Sequence, residues 1–157
     1  MSEEIQIAFQ LGRLGHRDVV AAMMRAFELE DPNKRPFDEQ GRRSSYSRFL
    51  DEPANGRIWL FEADQKFVGY MVLAFVFSFE YGGRNAFIDE IYVVPEYRGR
   101  GIGSRALQFA ETTARAGGIV ALHLEVSRNN SSAHKLYRRA GFSDHDRYLL
   151  TKWLEEE

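Results

Sequence analysis

Apolar positions along the chain change period from block to block, and each change marks an element. Ile5 to Phe9 reads as a short opening strand, with Gly12 and Gly15 breaking the pattern behind it. Val19, Val20, Met23, Met24 and Phe27 then recur at the spacing of one helix face, predicting a helix from about Arg17 to Glu28. The two methionines read as core packing. Asp31 to Pro36 is a turn-rich break with two prolines. Tyr46, Phe49 and Leu50 predict a second short helix, ended near Pro53 and Gly56.

Strand-like runs follow. Ile58 to Ala63 and Phe67 to Phe79 are joined by Asp64-Gln65-Lys66, a hairpin-like connection. Tyr81-Gly82-Gly83-Arg84 makes the next turn, and Ala86 to Val94 is a third run, stopped by Pro95. Ile102, Ala106, Phe109, Ala110 and Thr113 repeat at helical spacing up to Gly117-Gly118. Ile119 to Val126 is strand-like again. Ala133, Leu136, Tyr137 and Ala140 define a last helix closed by Gly141. Tyr148 to Leu154 is a final strand candidate, and Glu155-Glu156-Glu157 reads as a solvated tail. Early helices, an antiparallel meander and then strand–helix–strand–helix–strand predict a mixed α/β (α+β) sheet with helices packed on it. No repeat or linker interrupts the order, and a chain of 157 residues suits one domain over residues 1–157.

Composition acts by exclusion. With 44% hydrophobic and 28% charged residues, the chain is neither disordered nor fibrous. The absence of cysteine excludes disulfides, a thiolate nucleophile and every cysteine-based metal site, and fits a reducing cytoplasm. Lys plus Arg total 21 against 23 Asp plus Glu, a balance that argues against a nucleic-acid partner. The start MSEEIQ lacks the basic and apolar regions of a secretory signal. The longest apolar stretch, Phe67 to Phe79, is shorter than the roughly 17–25 residues of a membrane-spanning helix. A cytoplasmic protein without a membrane partner is expected.

Candidate chemistry is concentrated in Val94-Pro95-Glu96-Tyr97-Arg98-Gly99-Arg100-Gly101-Ile102-Gly103-Ser104. A strand ends at proline, alternating glycines follow, and a helix starts at once. Amides at a helix N-terminus lack internal partners, and the helix dipole there favours an anion. Glycines let a phosphate approach those donors. The local physics predicts a pyrophosphate cradle; a turn needed only for chain geometry is the plainer reading. A dinucleotide fingerprint would need glycine where Ser104 stands, and a Walker A loop would need a Gly-Lys-Ser or Gly-Lys-Thr that the chain lacks.

The second informative stretch runs from Asn130 through Ala133, Leu136 and Tyr137 to Gly141 and Phe142. With the glycine loop, it resembles the GNAT acyl-CoA N-acyltransferase superfamily. That family's cofactor motif, Arg/Gln-x-x-Gly-x-Gly/Ala, matches Arg98 to Gly103 without a mismatch. Its later pattern, Asn-x-x-Ala-x-x-Leu-Tyr-x-x-x-Gly-Phe, matches Asn130 to Phe142 in full. The strong match covers about Ile88 to Phe142, and the N-terminal half agrees only in element order.

The resemblance implies a mostly antiparallel sheet splayed open between its fourth and fifth strands, here Ala86–Val94 and Ile119–Val126, with helices on both faces. It implies acetyl-CoA in the gap, its pantetheine pairing with backbone near Tyr92, Val93 and Val94. Its pyrophosphate would rest on the amides of Arg98, Gly99, Arg100, Gly101, Ile102, Gly103 and Ser104, the two arginines adding charge. Asn130 would lie beside the pantetheine arm; a helix N-cap is the other role open to it, and the two are compatible.

It also implies direct acyl transfer to an amine, without a covalent enzyme intermediate; no metal is expected, since no metal-ligand spacing joins any two histidines. The missing cysteine and the missing Gly-x-Ser-x-Gly elbow agree. Tyr137 occupies the family's tyrosine position and is the candidate acid for the departing CoA thiolate; a packing tyrosine is the alternative. Glu90 is the candidate base, acting through ordered water, with a salt-bridged structural carboxylate as the alternative. Strand alternation puts Glu90 with Ile88, Tyr92 and Val94, and Asp89 with Phe87, Ile91 and Val93. His123 and Glu125 are reserves, while His16, His134 and His145 read as surface or capping residues.

The acceptor is framed in this family by the early helices and middle strands. From Glu28 to Glu52 there are seven acids and five bases, a lean toward a small cationic amine acceptor. A peptide amine, a non-catalytic acyl-CoA sensor and a nucleotide-binding regulator are the rival readings, and a homodimer is compatible with the family.

Overall fold

A computed structural model describes residues 4–32 and 35–154. Five strands lie side by side in chain order: β1 (Ala8–Leu11), β2 (Gly56–Ala63), β3 (Lys66–Ser78), β4 (Gly83–Val93) and β5 (Leu122–Leu124). The first four pair antiparallel, and β5 runs parallel to β4. The β2–β3 hairpin turns on Asp64 and Gln65, whose φ of 50° and 61° supply the two left-handed residues of a tight hairpin turn.

Alternation along the strands sends Ile58, Leu60, Tyr70, Val72 and Tyr92 to one face, under α1 (Arg17–Glu30) and α2 (Glu39–Asp51). Phe61, Ala63, Met71, Leu73 and Ile88 face the other way, under α3 (Ile102–Ala116), with Leu136 and Tyr137 of α4 (Ser131–Arg139) at its edge. The sheet is therefore mixed and covered by helices on both faces. Val20, Met23 and Met24 of α1 are buried among the first set, the core packing expected of them. The second helix begins well before Tyr46, at an Asp38 cap whose carboxylate accepts from the Gly41 amide at 3.0 Å. Its first turns are polar and offer no apolar period to read. Tyr46 is its one buried residue, and the hydroxyl donates to the Arg13 carbonyl at 2.7 Å.

The pairing of β4 with β5 covers only Ala86, Phe87 and Ile88 against Leu122, His123 and Leu124. Beyond Ile88, β4 continues to Val93 paired with β3 but without β5, so the sheet is splayed open between its fourth and fifth strands. The register of β3 on β4 slips once: Val72 faces Glu90 and Leu73 faces Ile88, leaving Asp89 without a partner on β3. This bulge reverses the alternation. Glu90 thus shares the α2 side with Tyr92, whereas Ile88 turns to α3, contrary to the period-2 expectation that put Glu90 and Ile88 on one face.

Two strand expectations shrink. Ile119–Val126 contributes three strand residues, and Tyr148–Leu154 forms no strand. A strand is completed by hydrogen bonds to a neighbour, and this segment runs elsewhere: Arg147 pairs with Glu80 at 2.8 Å, Arg128 lies 5.8 Å over the Tyr148 ring, and Arg35 lies 3.8 Å over Trp153. Tyr148, Leu149, Leu150, Trp153 and Leu154 are all exposed. The tail Glu155–Glu157, the start Met1–Glu3, and Asn33 and Lys34 in the break after α1 lie outside the described residues.

Candidate active site

After β4 the chain makes one short turn of 3-10 helix, Pro95–Tyr97, and reaches the start of α3 through Arg98–Gly101. Gly99 and Gly101 both hold left-handed backbone, at φ 74° and 77°, a conformation that glycine adopts without strain. A Cβ at either glycine would meet nothing within 4 Å, so open space lies over the loop. Gly101 is the N-cap of α3, and Arg105 donates to its carbonyl at 3.1 Å. The amides of Ile102, Gly103 and Ser104 precede that bond and belong to the unpaired first turn. Free donors, a positive dipole end and open space suit a diphosphate.

The loop forms one end of a cleft of about 540 Å³ that opens where β4 and β5 part. Glu90, Tyr92 and Val93 line it from β4, and Asn130 and Tyr137 line it from the far side. Arg98, Gly99, Gly101, Ile102, Gly103 and Ser104 line it from the loop. Val94 and Arg100 stand outside the lining. The Val94 amide donates to the Val68 carbonyl at 2.9 Å, and its carbonyl accepts from the Tyr97 amide at 3.0 Å, so its backbone is already engaged. Arg100 is exposed and lies 5.0 Å over the Tyr97 ring. Asn130 caps α4, its side-chain oxygen accepting from the Ala133 amide at 3.1 Å, while also facing the cleft.

Glu90 is the site's best-held group. Its side chain is only 12% exposed; Oε1 accepts from Arg42 at 2.9 Å and Oε2 from the Tyr70 hydroxyl at 3.2 Å. Burial pushes the Glu90 carboxyl above the usual carboxylate range, and the Arg42 guanidinium opposes that rise. Tyr70 is buried, and burial followed by the Glu90 charge holds its hydroxyl protonated. Tyr137 is pushed up by burial as well, and among the described residues its hydroxyl has no hydrogen-bond partner. Of the reserves, Glu125 lines the cleft, whereas His123 lines a second cavity of about 660 Å³ behind β5, with Nε2 buried and unpartnered.

Arg42, Tyr70 and Glu30 were not singled out in the sequence. Arg42 sits in the polar start of α2, Tyr70 reads as a core residue in an apolar run, and Glu30 ends α1. Only Tyr70 carried a signal: a polar tip in the centre of an apolar strand asks for a partner.

The sequence model of the Acetyltransferase (GNAT) family matches residues 20–142. The chain belongs to that family. Among GNAT relatives, aminoalkylphosphonate N-acetyltransferase of Salmonella typhimurium is 30% identical over 121 residues, 77% of each chain. Thialysine N-epsilon-acetyltransferase of Bos taurus is 40% identical over 77 residues, 49% of this chain; the match spans about half (45%) of that protein's length. The fold is shared by an integron cassette protein from the mobile metagenome of Cole Harbour Salt Marsh, with a TM-score of 0.83 and 32% identity over 95% of this chain and 91% of the other.

Proposed function

We infer that the protein moves the acetyl group of acetyl-CoA directly onto the primary amine of a small molecule. The observation that carries this reading is convergence: the first turn after Gly101, the largely buried Glu90 and Tyr137 all line one cleft. Residues Arg98–Ser104 would hold the diphosphate, and the Val93 backbone at the diverging strand would carry the pantetheine arm. Acetyl-CoA supplies the activated thioester; everything else falls to side chains of this chain.

An alkylamine with a pKa near 10.4 is only about one part in 10³ neutral at pH 7, about 4–5 kcal/mol from its nucleophilic form. Glu90 answers that problem. Burial raises its pKa and makes it a stronger base than an exposed carboxylate, while the Arg42 guanidinium opposes that rise and favours the charged form. Tyr137 answers the opposite one. Its raised pKa keeps the proton on the phenol until the thiolate leaves and takes it. Asp31, Asp89 and Glu125 also line the cleft and favour a cationic acceptor by attraction. The names of the thialysine and aminoalkylphosphonate relatives support an amine of small-molecule size.

The test is thiol release from acetyl-CoA over a panel of small primary amines, with N-terminal peptides beside them. Turnover on a small amine supports the reading. Acetyl-CoA binding with no thiol release on any amine would mark a binding domain instead.

A further inference from the structure

Arg98 is not free to meet a ligand. Its Nη2 donates to both oxygens of Glu30, at 3.0 Å and 2.7 Å, and its Nε donates to the Val93 carbonyl at 2.8 Å. The guanidinium lies 5.4 Å over the Tyr92 ring, which also feels the Glu30 charge. Glu30, Arg98, Val93 and Tyr92 all line the cleft. Arg98 and Arg139 are its only lining bases among the described residues. So a carboxylate from the end of α1 already occupies one of the two cations in a site built for an anion. The same contact fixes Arg98 on a backbone oxygen of the strand along which the cofactor arm would run.

We propose that Glu30 sets the affinity of this cleft for acyl-CoA, as an internal anion that the diphosphate must displace from Arg98. The proposal rests on the cofactor reading given above. A guanidinium donates charge-assisted hydrogen bonds to a carboxylate or a phosphate alike, so the exchange needs only a swing of one side chain. Both side chains are well exposed, at 44% and 38%, which makes the existing pair weak and open to replacement by a more highly charged group. In the bound state Glu30 is left beside the phosphates without its counter-ion, and this lowers affinity further. A pair that merely braced the loop would have the opposite sign: removing Glu30 would loosen the loop and weaken binding.

The experiment is calorimetric titration of acetyl-CoA into the full chain and into Glu30→Gln, at about 20 mM and about 500 mM salt. Glu30→Gln keeps the shape and removes the charge from an exposed position, so melting temperature should not move. The variant should bind about two- to fivefold tighter at low salt, and the difference should close at high salt, where such pairs are screened. In an Arg98→Gln background the gain from Glu30→Gln should shrink, because no guanidinium remains to be released. Equal or weaker binding by Glu30→Gln, or an undiminished gain without Arg98, overturns the proposal while leaving the cofactor reading intact. Failure of both proteins to bind acetyl-CoA overturns the cofactor reading, and the role of Glu30 falls with it.

Discussion

Arg42 on α2 donates to Glu90 Oε1 at 2.9 Å, although 48 positions separate the two residues in the chain. The contact gives a largely buried carboxylate a counter-charge. Burial raises the Glu90 pKa, and a guanidinium from the covering helix opposes that rise. Removing either partner has consequences that can be measured separately.

Glu90→Gln should lower kcat/KM by about 10²-fold near neutral pH, and the loss should diminish as pH rises and the acceptor arrives already neutral. Stability should respond in the opposite sense. A carboxyl whose folded pKa lies above its unfolded value of 4.5 contributes stability that is full below that value and lost as pH rises through the folded one. The melting temperature of Glu90→Gln should therefore gain on wild type as pH rises above about 4.5. A constant difference across that range, with parallel rate profiles, would make Glu90 a structural carboxylate only.

Arg42→Met removes the opposing charge while leaving Glu90 in place. The Glu90 pKa should rise further, and the acid limb of the kcat/KM profile should move to higher pH, with acetyl-CoA affinity unchanged. A profile that drops in height without moving along the pH axis would count against the coupling.

Tyr137→Phe keeps the edge-on contact with the Phe142 ring, whose centroid lies 6.1 Å away, and deletes only the hydroxyl. With no hydrogen bond lost among the described residues, thermal stability should hold. Turnover on a verified acceptor should fall by about 10²–10⁴-fold with little change in acetyl-CoA affinity. Full activity would make Tyr137 a packing residue.

Gly103→Glu places an anion in the first turn of α3. A Cβ there meets the Leu136 Cδ2 atom at 3.1 Å, a flexible side-chain tip that can shift, so the fold should survive. Acetyl-CoA binding should disappear from the titration, while Gly103→Ala should retain most of it. Unaltered affinity in a folded Gly103→Glu protein would move the diphosphate elsewhere.

The parts of this site that are legible in the sequence are those written in contiguous residues. Gly99, Gly101 and the first turn of α3 are one short string, and their physics is local: left-handed backbone, then unpaired amides. Asn130 announces its capping role in the same way, three residues before Ala133. Contacts made by folding are a different matter. Arg98 meets Glu30 across 68 positions, and neither residue carries a mark of the other. The bulge at Asp89 adds a residue on one strand only, which a period of two cannot register, so the alternation holds for Glu90 and Tyr92 but fails for Ile88 across it. The run Tyr148–Leu154 has the composition of a strand but not the neighbour, and composition does not supply one.

The ladder between β4 and β5 is only three residues long. It is the whole strand pairing, among the described residues, between the four-stranded meander and the helix–strand–helix unit that follows; the packing of α3 on the sheet joins them as well. Whatever lies along the open stretch of β4 and touches α3 and α4 together bridges both pieces, much as an added strand would. A ligand held there at about 100 times its Kd contributes about 2.7 kcal/mol to the folded state. The donor molecule would then be a structural fastener as well as a reagent, and the protein would loosen each time spent CoA departs.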